Sequence, residues 1–292
     1  MTERTISGPL SVGCVERDGS TTSRVPDQAT AFTPTSVAQR TGVALIGAVV
    51  GVAGGFVLLV VAPSAAFAAA ILLLALAFAG GLLSTWSPCG YSSLSLLRPA
   101  RPYGARSVLR WLPTFATHAA GYVLGALALG LVLGVAAWLV PAAGFGGWSL
   151  ALVATVALAY GLHQSGLLRM PYPQRRAQVP HDVRLRYPMW KIGLLYGFAL
   201  GLNFTTYVRT PILYVVVVAA VASGAFVLAL ALILALNLGR FMPLTVNALP
   251  VRDASVQQWL ARNERRAVIA DVTVLALSGA ALLTIAFAGY VL

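Results

Sequence analysis

Long hydrophobic stretches separated by short polar segments form the main pattern of this chain. An apolar run of about eighteen residues or more is long enough to cross a bilayer as a helix. By that criterion the sequence predicts seven spans, at residues 41–61, 66–96, 111–140, 147–168, 192–220, 223–249 and 267–291. Of the 292 residues, 59% are hydrophobic and 10% are charged, whereas soluble domains carry about a quarter charged residues. We therefore expect an all-α polytopic membrane protein with seven transmembrane helices.

Glycines four residues apart recur within the hydrophobic stretches, as at Gly121/Gly125 and Gly130/Gly134. Rows of small residues allow two helices to approach closely in lipid, where contact between leucines has no advantage over contact with lipid. Chance spacing in a sequence rich in glycine and alanine is the alternative interpretation.

Basic residues give the chain a net charge of +12, and they concentrate in alternate connections between the predicted spans. They are Arg4, Arg17, Arg24 and Arg40; Arg98, Arg101, Arg106 and Arg110; Arg169, Arg175, Arg176, Arg184, Arg186 and Lys191; and Arg252, Arg262, Arg265 and Arg266. The opposite connections, near 62–66, 141–147 and 221–223, carry no charged residue. By the positive-inside rule this predicts a cytoplasmic N-terminus and a C-terminus outside. We expect anionic lipid headgroups, and not nucleic acid, as the partner of these loops.

The N-terminal segment divides into a polar part and an apolar part. Residues 1–40 are rich in Ser, Thr and Pro, which predicts a flexible cytoplasmic tail, and residues 41–65 form an added N-terminal transmembrane helix. A cleaved signal peptide is the alternative, but the apolar run is too long for one. Because Cys14 falls in the reducing cytosol, we expect no disulfide between Cys14 and Cys89.

A proline and a glycine interrupt the second apolar stretch around a cysteine, in the run Ser87-Pro88-Cys89-Gly90. Irregular backbone at membrane depth is tolerated only where protein or a water-filled cavity satisfies its polar groups. Cys89 is therefore a candidate catalytic thiol, with Ser87 and Pro88 beside it. The alternative is a simple proline kink with a buried cysteine that packs as a small hydrophobic residue.

Two parts of the chain, residues 66–190 and 191–292, share one pattern of three helices. The second part has its own polar, proline-containing interruption at 203–211. Because each part has an odd number of helices, the second must be inverted in the membrane, and paired interruptions then indicate a site near the midplane. The candidate binding residues are Ser87, Pro88, His118, Asn203, Thr205, Thr206, Tyr207, Arg209 and Arg240.

Two arginines, Arg209 and Arg240, fall near the middle of predicted spans, where a charge is costly unless it faces a cavity or a partner. Arg209 suits either a functional or a scaffolding role, and for Arg240 we favour scaffolding, in which the guanidinium forks across backbone carbonyls. Asp271 lies only a turn into the last span, where it could pair with an arginine, but we favour a position in the headgroup region with little effect.

A metal site formed by Cys89, His118 and His163 is conceivable, since sulfur and imidazole suit copper or zinc. The spacings typical of metal sites, such as CxxC and HxxxH, are absent, and we predict neither a metal nor a cofactor. Phosphate loops, nucleophile elbows and carboxylate pairs are absent too. An accessory or transport protein is favoured over an enzyme.

Ser87-Pro88-Cys89 and the Gly239-Arg240 step resemble features of the DsbD/CcdA superfamily of membrane electron carriers, over about residues 66–291. The resemblance implies two inverted three-helix repeats, each with a proline-flanked cysteine in its first helix. Here the second cysteine position falls within 205–207, where no cysteine stands. A disulfide relay needs a second, resolving sulfur, so Cys89 alone can only form mixed disulfides with a partner.

Within that superfamily the run from Ser84 to Ser93 is most similar to MauF-type proteins of methylamine utilisation. This resemblance implies an accessory protein of the bacterial inner (plasma) membrane that supports maturation or export of methylamine dehydrogenase, with a periplasmic thioredoxin-like protein as a possible partner. Three alternatives stay open: a transporter for a small anion or metal ion, using Arg209 with Asn203, Thr205 and Thr206; a thiol-disulfide electron carrier; and a scaffold with a decayed redox site.

Overall fold

The protein is helical throughout the part that the computed structural model describes, residues 35–99, 103–140, 145–173 and 188–291. Cys14, His181 and most of the predicted tail lie outside these residues. The α-helices, renumbered in chain order, are α1 (Val37–Val61), α2 (Ala65–Leu83), α3 (Pro88–Leu96), α4 (Ala105–Leu139), α5 (Gly147–Ser165), α6 (Met189–Gly201), α7 (Ile212–Ala222), α8 (Phe226–Phe241) and α9 (Asp253–Val291). Two 3₁₀ helices, Ser84–Trp86 and Met242–Ala248, follow α2 and α8.

The all-α class is confirmed over the described residues, and five helical stretches are long and apolar enough to cross a membrane. They are Val37–Val61, Ala65–Trp86, Ala105–Leu139, Phe226–Ala248 and Ala254–Ala288. The predicted span at 147–168 corresponds to α5, which ends with His163, Gln164 and Ser165 and is less apolar than these five. The span expected at 192–220 is divided into α6 and α7, of 13 and 11 residues, neither of which is long enough to cross alone.

The last helix begins earlier than the hydrophobic pattern predicts. A connection was expected up to residue 266, but α9 starts at Asp253 and runs for 39 residues. Its first turns carry charged residues, so the hydropathy pattern reads them as a loop. Most of them point outward, while Leu260 and Glu264 are buried against the rest of the protein.

Glycines bring two pairs of helices into backbone contact. A Cβ atom on Gly121 would collide with Leu194 O of α6, and one on Gly197 would collide with His118 O of α4. In the same way, Gly81 of α2 and Gly239 of α8 each face the other helix's backbone. The close approach predicted from Gly121/Gly125 is confirmed, because small residues remove the steric barrier between the helices.

The second predicted glycine pair has a different environment. Gly130 faces the side chain of Leu230, and Gly134 faces the ring of Phe226, both on α8. These glycines accommodate large side chains of the neighbouring helix rather than its backbone. α4 therefore contacts α6 closely through one half and α8 through the other.

The added helix α1 lies at the edge of the bundle. It packs mainly along α9, where Gly47, Gly51 and Gly55 face Thr273, Leu277 and Ala281. Its other faces expose large aliphatic side chains, such as Val49 and Val60. The remaining helices surround the two interruptions, at 84–87 between α2 and α3 and at 202–211 between α6 and α7.

Replacing Gly121 by Leu should destabilise the fold, because the new side chain meets the backbone of α6 directly. We expect a loss of about 3 kcal/mol or more, together with aggregation in mild detergent. The measurement is thermal unfolding of the purified protein followed by size-exclusion chromatography. Gly54→Leu is the control, since a Cβ there meets nothing within 4 Å; equal loss in both variants would contradict the close-packing interpretation.

Candidate functional site

The first interruption consists of the 3₁₀ helix Ser84–Trp86 and the extended Ser87, and its serine hydroxyls bond to nearby carbonyls. Pro88 restarts the helix as its first residue, and the preceding Ser87 is extended, with φ −91° and ψ 155°. The Ser87 hydroxyl donates to Ser84 O at 2.6 Å and accepts from Gly90 N at 3.4 Å. The Ser84 hydroxyl donates to Gly81 O at 2.6 Å. The break therefore follows from Pro88, and the serines provide the hydrogen bonds that the helix loses.

Cys89 lies at the start of α3, and only 1% of its surface is exposed. Its thiol interacts with the side chain of Thr206 and the backbone N–H of Tyr207, and it lies within the field of Arg240. Its carbonyl accepts a hydrogen bond of 3.2 Å from the Tyr196 hydroxyl. The structure thus brings the candidate thiol of the first interruption against the polar segment of the second.

Arg240 of α8 holds the second interruption together. Its guanidinium donates to Leu200 O and Asn203 Oδ1, both at 3.0 Å, and to Thr206 Oγ1 at 3.2 Å. The side chain is 4% exposed. These contacts favour the scaffolding role expected for Arg240, because one planar group joins the end of α6, at Leu200 O, to the side chains of Asn203 and Thr206.

Asn203 adopts a backbone conformation that fits this arrangement. Its φ is +58°, a region that asparagine tolerates better than most residues. Its amide donates to Gly201 O at 2.9 Å while its carbonyl oxygen accepts from Arg240. Thr205, by contrast, is exposed, and its hydroxyl donates to Ala199 O. Among the predicted binding residues 205–207, the Thr206 side chain and the Tyr207 backbone N–H face Cys89, whereas Thr205 does not.

His118 belongs to an aromatic cluster next to the thiol. Its ring stacks on Tyr196, with centroids 5.8 Å apart, and meets Tyr122 edge-on at 5.0 Å. The Nδ1 atom pairs with Gly193 O at 2.9 Å, whereas the fully buried Nε2 atom has no hydrogen-bond partner. His118 therefore lies near Cys89 as expected, but within an aromatic environment.

Arg209 forms an ion pair with Glu264, a residue that the hydropathy pattern assigns to a loop. Its Nη1 atom lies 2.5 Å from Glu264 Oε1, and the Glu264 side chain is only 9% exposed. This partner was missed because Glu264 lies within the run Arg262–Arg266, which has the composition of a cytoplasmic connection. Only the continuation of α9 through this run places Glu264 inside the bundle.

The expectation that Asp271 has little effect is wrong, because the carboxylate is buried and hydrogen-bonded within the protein. Asp271 is 5% exposed and accepts hydrogen bonds from Gln164 of α5, at 2.8 Å, and from the Thr210 hydroxyl. It thus connects α9, α5 and the second interruption. A small cavity of about 20 Å³ lies beside it, lined also by Arg209 and Trp86. Buried carboxylates are rare unless they are hydrogen-bonded, and here two donors meet that need.

The structure does not bring together the metal ligands considered from sequence. His163 lies apart from the thiol, where its Nδ1 atom accepts from Met170 N at 3.0 Å and its ring faces Tyr172. Tyr172 in turn donates to Val208 O of the second interruption at 2.7 Å. Over residues 35–99, 103–140, 145–173 and 188–291, no cluster of three His, Cys, Asp or Glu side chains could hold a metal ion.

The chemistry available at this site is that of one buried thiol with polar neighbours. Counted from the proline, the residue that corresponds to Cys89 in the second interruption is Ile212, which follows Pro211 and is fully buried. Neither Ile212 nor the segment 205–207 supplies a sulfur. Two hydrogen bonds between uncharged groups join the first interruption to other elements. The Trp86 Nε1 atom donates to Leu260 O, and the Tyr196 hydroxyl donates to Cys89 O.

The sequence is similar to proteins named methylamine utilization protein MauF. It is 58% identical over 228 residues to that of Paracoccus versutus, covering 78% of this chain and 82% of the relative. It is 55% identical over 252 residues to that of Methylorubrum extorquens, covering 84% and 87%. For Methylobacillus flagellatus the identity is 51% over 259 residues, covering 89% and 91%. No family model matches the chain, and no solved structure matches it.

Replacing Arg240 by Lys should weaken the fold although the charge is kept. A lysine ammonium cannot reach Leu200 O, Asn203 Oδ1 and Thr206 Oγ1 with the geometry of a guanidinium. We expect a loss of about 3 kcal/mol, measured as the midpoint of unfolding in detergent. Arg262→Lys, at an exposed position on α9, is the control and should leave the midpoint unchanged. A stable Arg240→Lys protein would contradict the scaffolding role.

The pair formed by Arg209 and Glu264 should show strong coupling in a double-mutant cycle. Glu264→Gln leaves a partly exposed cation with a weaker partner, and Arg209→Gln leaves a nearly buried carboxylate with one, so we expect a loss of about 2 kcal/mol in each case. The double variant should recover part of this loss, because both charges are then absent. Additive losses in chemical unfolding would show that the two side chains act independently.

Proposed function

The chain belongs to the MauF family of methylamine utilization proteins, and from this membership we propose that it serves methylamine utilisation as an accessory protein of the bacterial inner membrane. The three relatives described above match over most of their own lengths, so the proposal concerns the whole chain. Its helices support a membrane location. The placement of basic residues supports a cytoplasmic N-terminus and a periplasmic C-terminus.

We further propose that the protein supports maturation or export of methylamine dehydrogenase through the Cys89 thiol. The observation that carries this proposal is the position of that thiol. It starts the second half of a broken helix, is 1% exposed, and contacts Thr206 and Tyr207 of the other broken helix. A cysteine kept only for packing would not need two helix breaks and a buried guanidinium around it.

A core of the DsbD/CcdA type, with seven crossings in all, is the architecture we propose for this site. Both interruptions end where a proline restarts a helix, after Ser87 and after Thr210. The packing is reciprocal, since α2 contacts α8 closely and α4 contacts α6 closely, each through glycines. In a pair of inverted three-helix repeats, the first helix of each repeat would pack on the second helix of the other, as α2 packs on α8 and α6 packs on α4. Helix α1 is then an addition at the edge.

With a single sulfur, the chemistry we propose is a mixed disulfide with a periplasmic thioredoxin-like partner. The Cys89 thiolate attacks one sulfur of the partner's disulfide, and the partner's other sulfur leaves as a thiolate. That thiolate then attacks the mixed disulfide, which restores the partner's disulfide and frees Cys89. The exchange holds the partner transiently and leaves no net oxidation in the membrane protein. Because Cys89 is buried, α3 must move before the partner can reach the sulfur.

The contacts of Arg209 give little support to the transporter alternative. An anion site needs a cation whose charge is available, whereas Arg209 is engaged with Glu264 and lies near Asp271. A metal-ion pathway would need ligand clusters, and the residues that the structure describes contain none. For these reasons we propose the thiol function and not transport.

The proposal is tested by growth on methylamine of a strain that carries Cys89→Ser or Cys89→Ala. We expect growth and active methylamine dehydrogenase to fall at least about tenfold, because the nucleophilic sulfur is lost. Cys14→Ser is the control and should grow normally, since that residue lies in the predicted tail. Immunoblots of the membrane fraction establish that all three variants reach the same level.

Normal growth and normal dehydrogenase in both Cys89 variants would overturn the thiol function while leaving family membership intact. A non-reducing gel adds a direct readout. A partner variant with one active-site cysteine, loaded beforehand as its mixed disulfide with thionitrobenzoate, should react with the wild-type protein: the Cys89 thiolate attacks the partner's sulfur and thionitrobenzoate leaves. The resulting mixed disulfide should accumulate with the wild-type protein but not with Cys89→Ser.

A further inference from the structure

Three charged side chains, Arg209, Glu264 and Asp271, form a cluster between α9 and the second interruption. Glu264 and Asp271 are seven residues apart in α9, which places them about two turns apart on one face of the helix. The two residues are 7% and 5% exposed. Arg209 forms an ion pair with Glu264 and also lies close enough to Asp271 to attract its carboxylate. One guanidinium therefore serves two acidic side chains.

The two hydrogen-bond partners of Asp271 suit both the ionised and the protonated form of its carboxyl group. Gln164 Nε2 donates to Oδ2 at 2.8 Å, and the Thr210 hydroxyl donates to Oδ1. A side-chain amide carries an acceptor beside its donor, and a hydroxyl group can exchange its donor and acceptor roles. The Thr210 oxygen already accepts a hydrogen bond from Ile212 N at 3.3 Å. Asp271 can therefore gain a proton and still be hydrogen-bonded to the same neighbours.

Titratable groups on the other surrounding elements do not balance the charge of the cluster. Arg40 of α1 donates to Gln164 O and not to Asp271. Tyr172, from the segment after α5, faces Asp271, and Tyr91 of α3 faces the ion pair, but tyrosine is ordinarily neutral at physiological pH. Over the described residues, two ionised acids and one arginine thus leave an excess of one negative charge. Such an excess inside a mostly apolar bundle is costly and favours the binding of one positive charge.

The small cavity beside Asp271 decides which positive charge fits. Its volume of about 20 Å³ is enough for one water molecule, and Arg209, Gln164 and Thr210 line it together with Asp271. A metal ion in this cavity would lie beside the guanidinium and be repelled by it. A proton binds to the carboxyl oxygen itself and needs only a water molecule to deliver it. The ligand that suits this site is therefore a proton.

Asp271 lies at the end of the bundle where α1 begins and α5 ends. Gln164 belongs to the last turn of α5, and Arg40, in the first turn of α1, donates to its carbonyl. Beyond Asp271, residues 272–291 contain no charged residue. With the cytoplasmic N-terminus proposed above, the route of a proton to Asp271 is short from the cytoplasm, whereas apolar helix lies on the other side.

We propose that Asp271 binds one proton from the cytoplasmic side, which makes the cluster of Arg209, Glu264 and Asp271 electrically neutral. The carboxylate becomes a carboxylic acid, and no electron or other group is transferred. The charge-assisted hydrogen bond from Thr210 then becomes a weaker one between neutral groups. Proton binding therefore adjusts how firmly α9 holds the second interruption. The proposal does not depend on thiol chemistry at Cys89.

The test is infrared difference spectroscopy of the full-length protein in lipid nanodiscs, with the pH changed between about 9 and about 5. We expect the wild-type protein to show the carbonyl stretch of a protonated carboxylic acid that Asp271→Asn lacks. Asp253→Asn, which changes the first residue of the same helix, is the matched control and should keep this band. Size-exclusion chromatography establishes that each variant is folded.

The charge count also predicts opposite effects for the two partners of the ion pair. Glu264→Gln leaves one arginine for one acid, so Asp271 should bind its proton at least about tenfold more weakly. Arg209→Gln removes the cation, so proton binding should become at least about tenfold tighter. A merely structural role of the cluster would not shift the titration of the band in opposite directions. Both variants retain Asp271, so this measurement decides the question even if Asp271→Asn does not fold.

Four results would overturn the proposal. They are absence of the band from the wild-type protein, its persistence in Asp271→Asn, its dependence on Na⁺ instead of pH, and equal proton affinity in Glu264→Gln and Arg209→Gln. Growth on methylamine is a separate readout, so failure here and failure of the thiol function are distinguishable.

Discussion

Two helix breaks lie within long apolar stretches, and the structure around the candidate site depends on satisfying the backbone groups that these breaks leave unpaired. In the first break the hydroxyls of Ser84 and Ser87 donate to nearby carbonyls. In the second, the side chains of Asn203 and Thr205 donate to carbonyls at the end of α6. Arg240 of α8 then joins Leu200 O to the side chains of Asn203 and Thr206. The position of the thiol follows from this solution, because Cys89 contacts the segment that Arg240 holds.

Close helix packing is the second condition for this arrangement. Arg240 reaches the end of α6 because α8 contacts α2 through Gly239 and Gly81, and α4 contacts α6 through Gly121 and Gly197. Helices separated by larger side chains would leave a gap that water or lipid must fill. The glycines thus allow the helix backbones to approach closely, although glycine loses more conformational entropy on folding than other residues do.

Hydropathy and local sequence signals were enough to predict the helical fold and the break at Pro88. The comparison of the two interruptions, and no local signal, predicted that Cys89 would face the segment 205–207, of which Thr205 is exposed. They failed where a residue's environment depends on another element. Asp271 was expected near the headgroups, yet its partners Gln164 and Thr210 are 107 and 61 residues away in the chain. Glu264 was hidden by neighbouring arginines, and only the long course of α9 places it beside Arg209. Long-range pairing of polar groups is not encoded in a local pattern.

The two interruptions are held by different kinds of contact. Charged side chains from α8 and α9 hold the second one, through Arg240, Glu264 and Asp271, and the Tyr172 hydroxyl donates to Val208 O. The first is joined to its surroundings at Trp86 and Cys89 by hydrogen bonds between uncharged groups, which are weaker than charge-assisted ones. The sulfur therefore belongs to the interruption with the weaker contacts. If the protein opens locally, we expect Cys89 to become accessible before the segment around Arg240 separates.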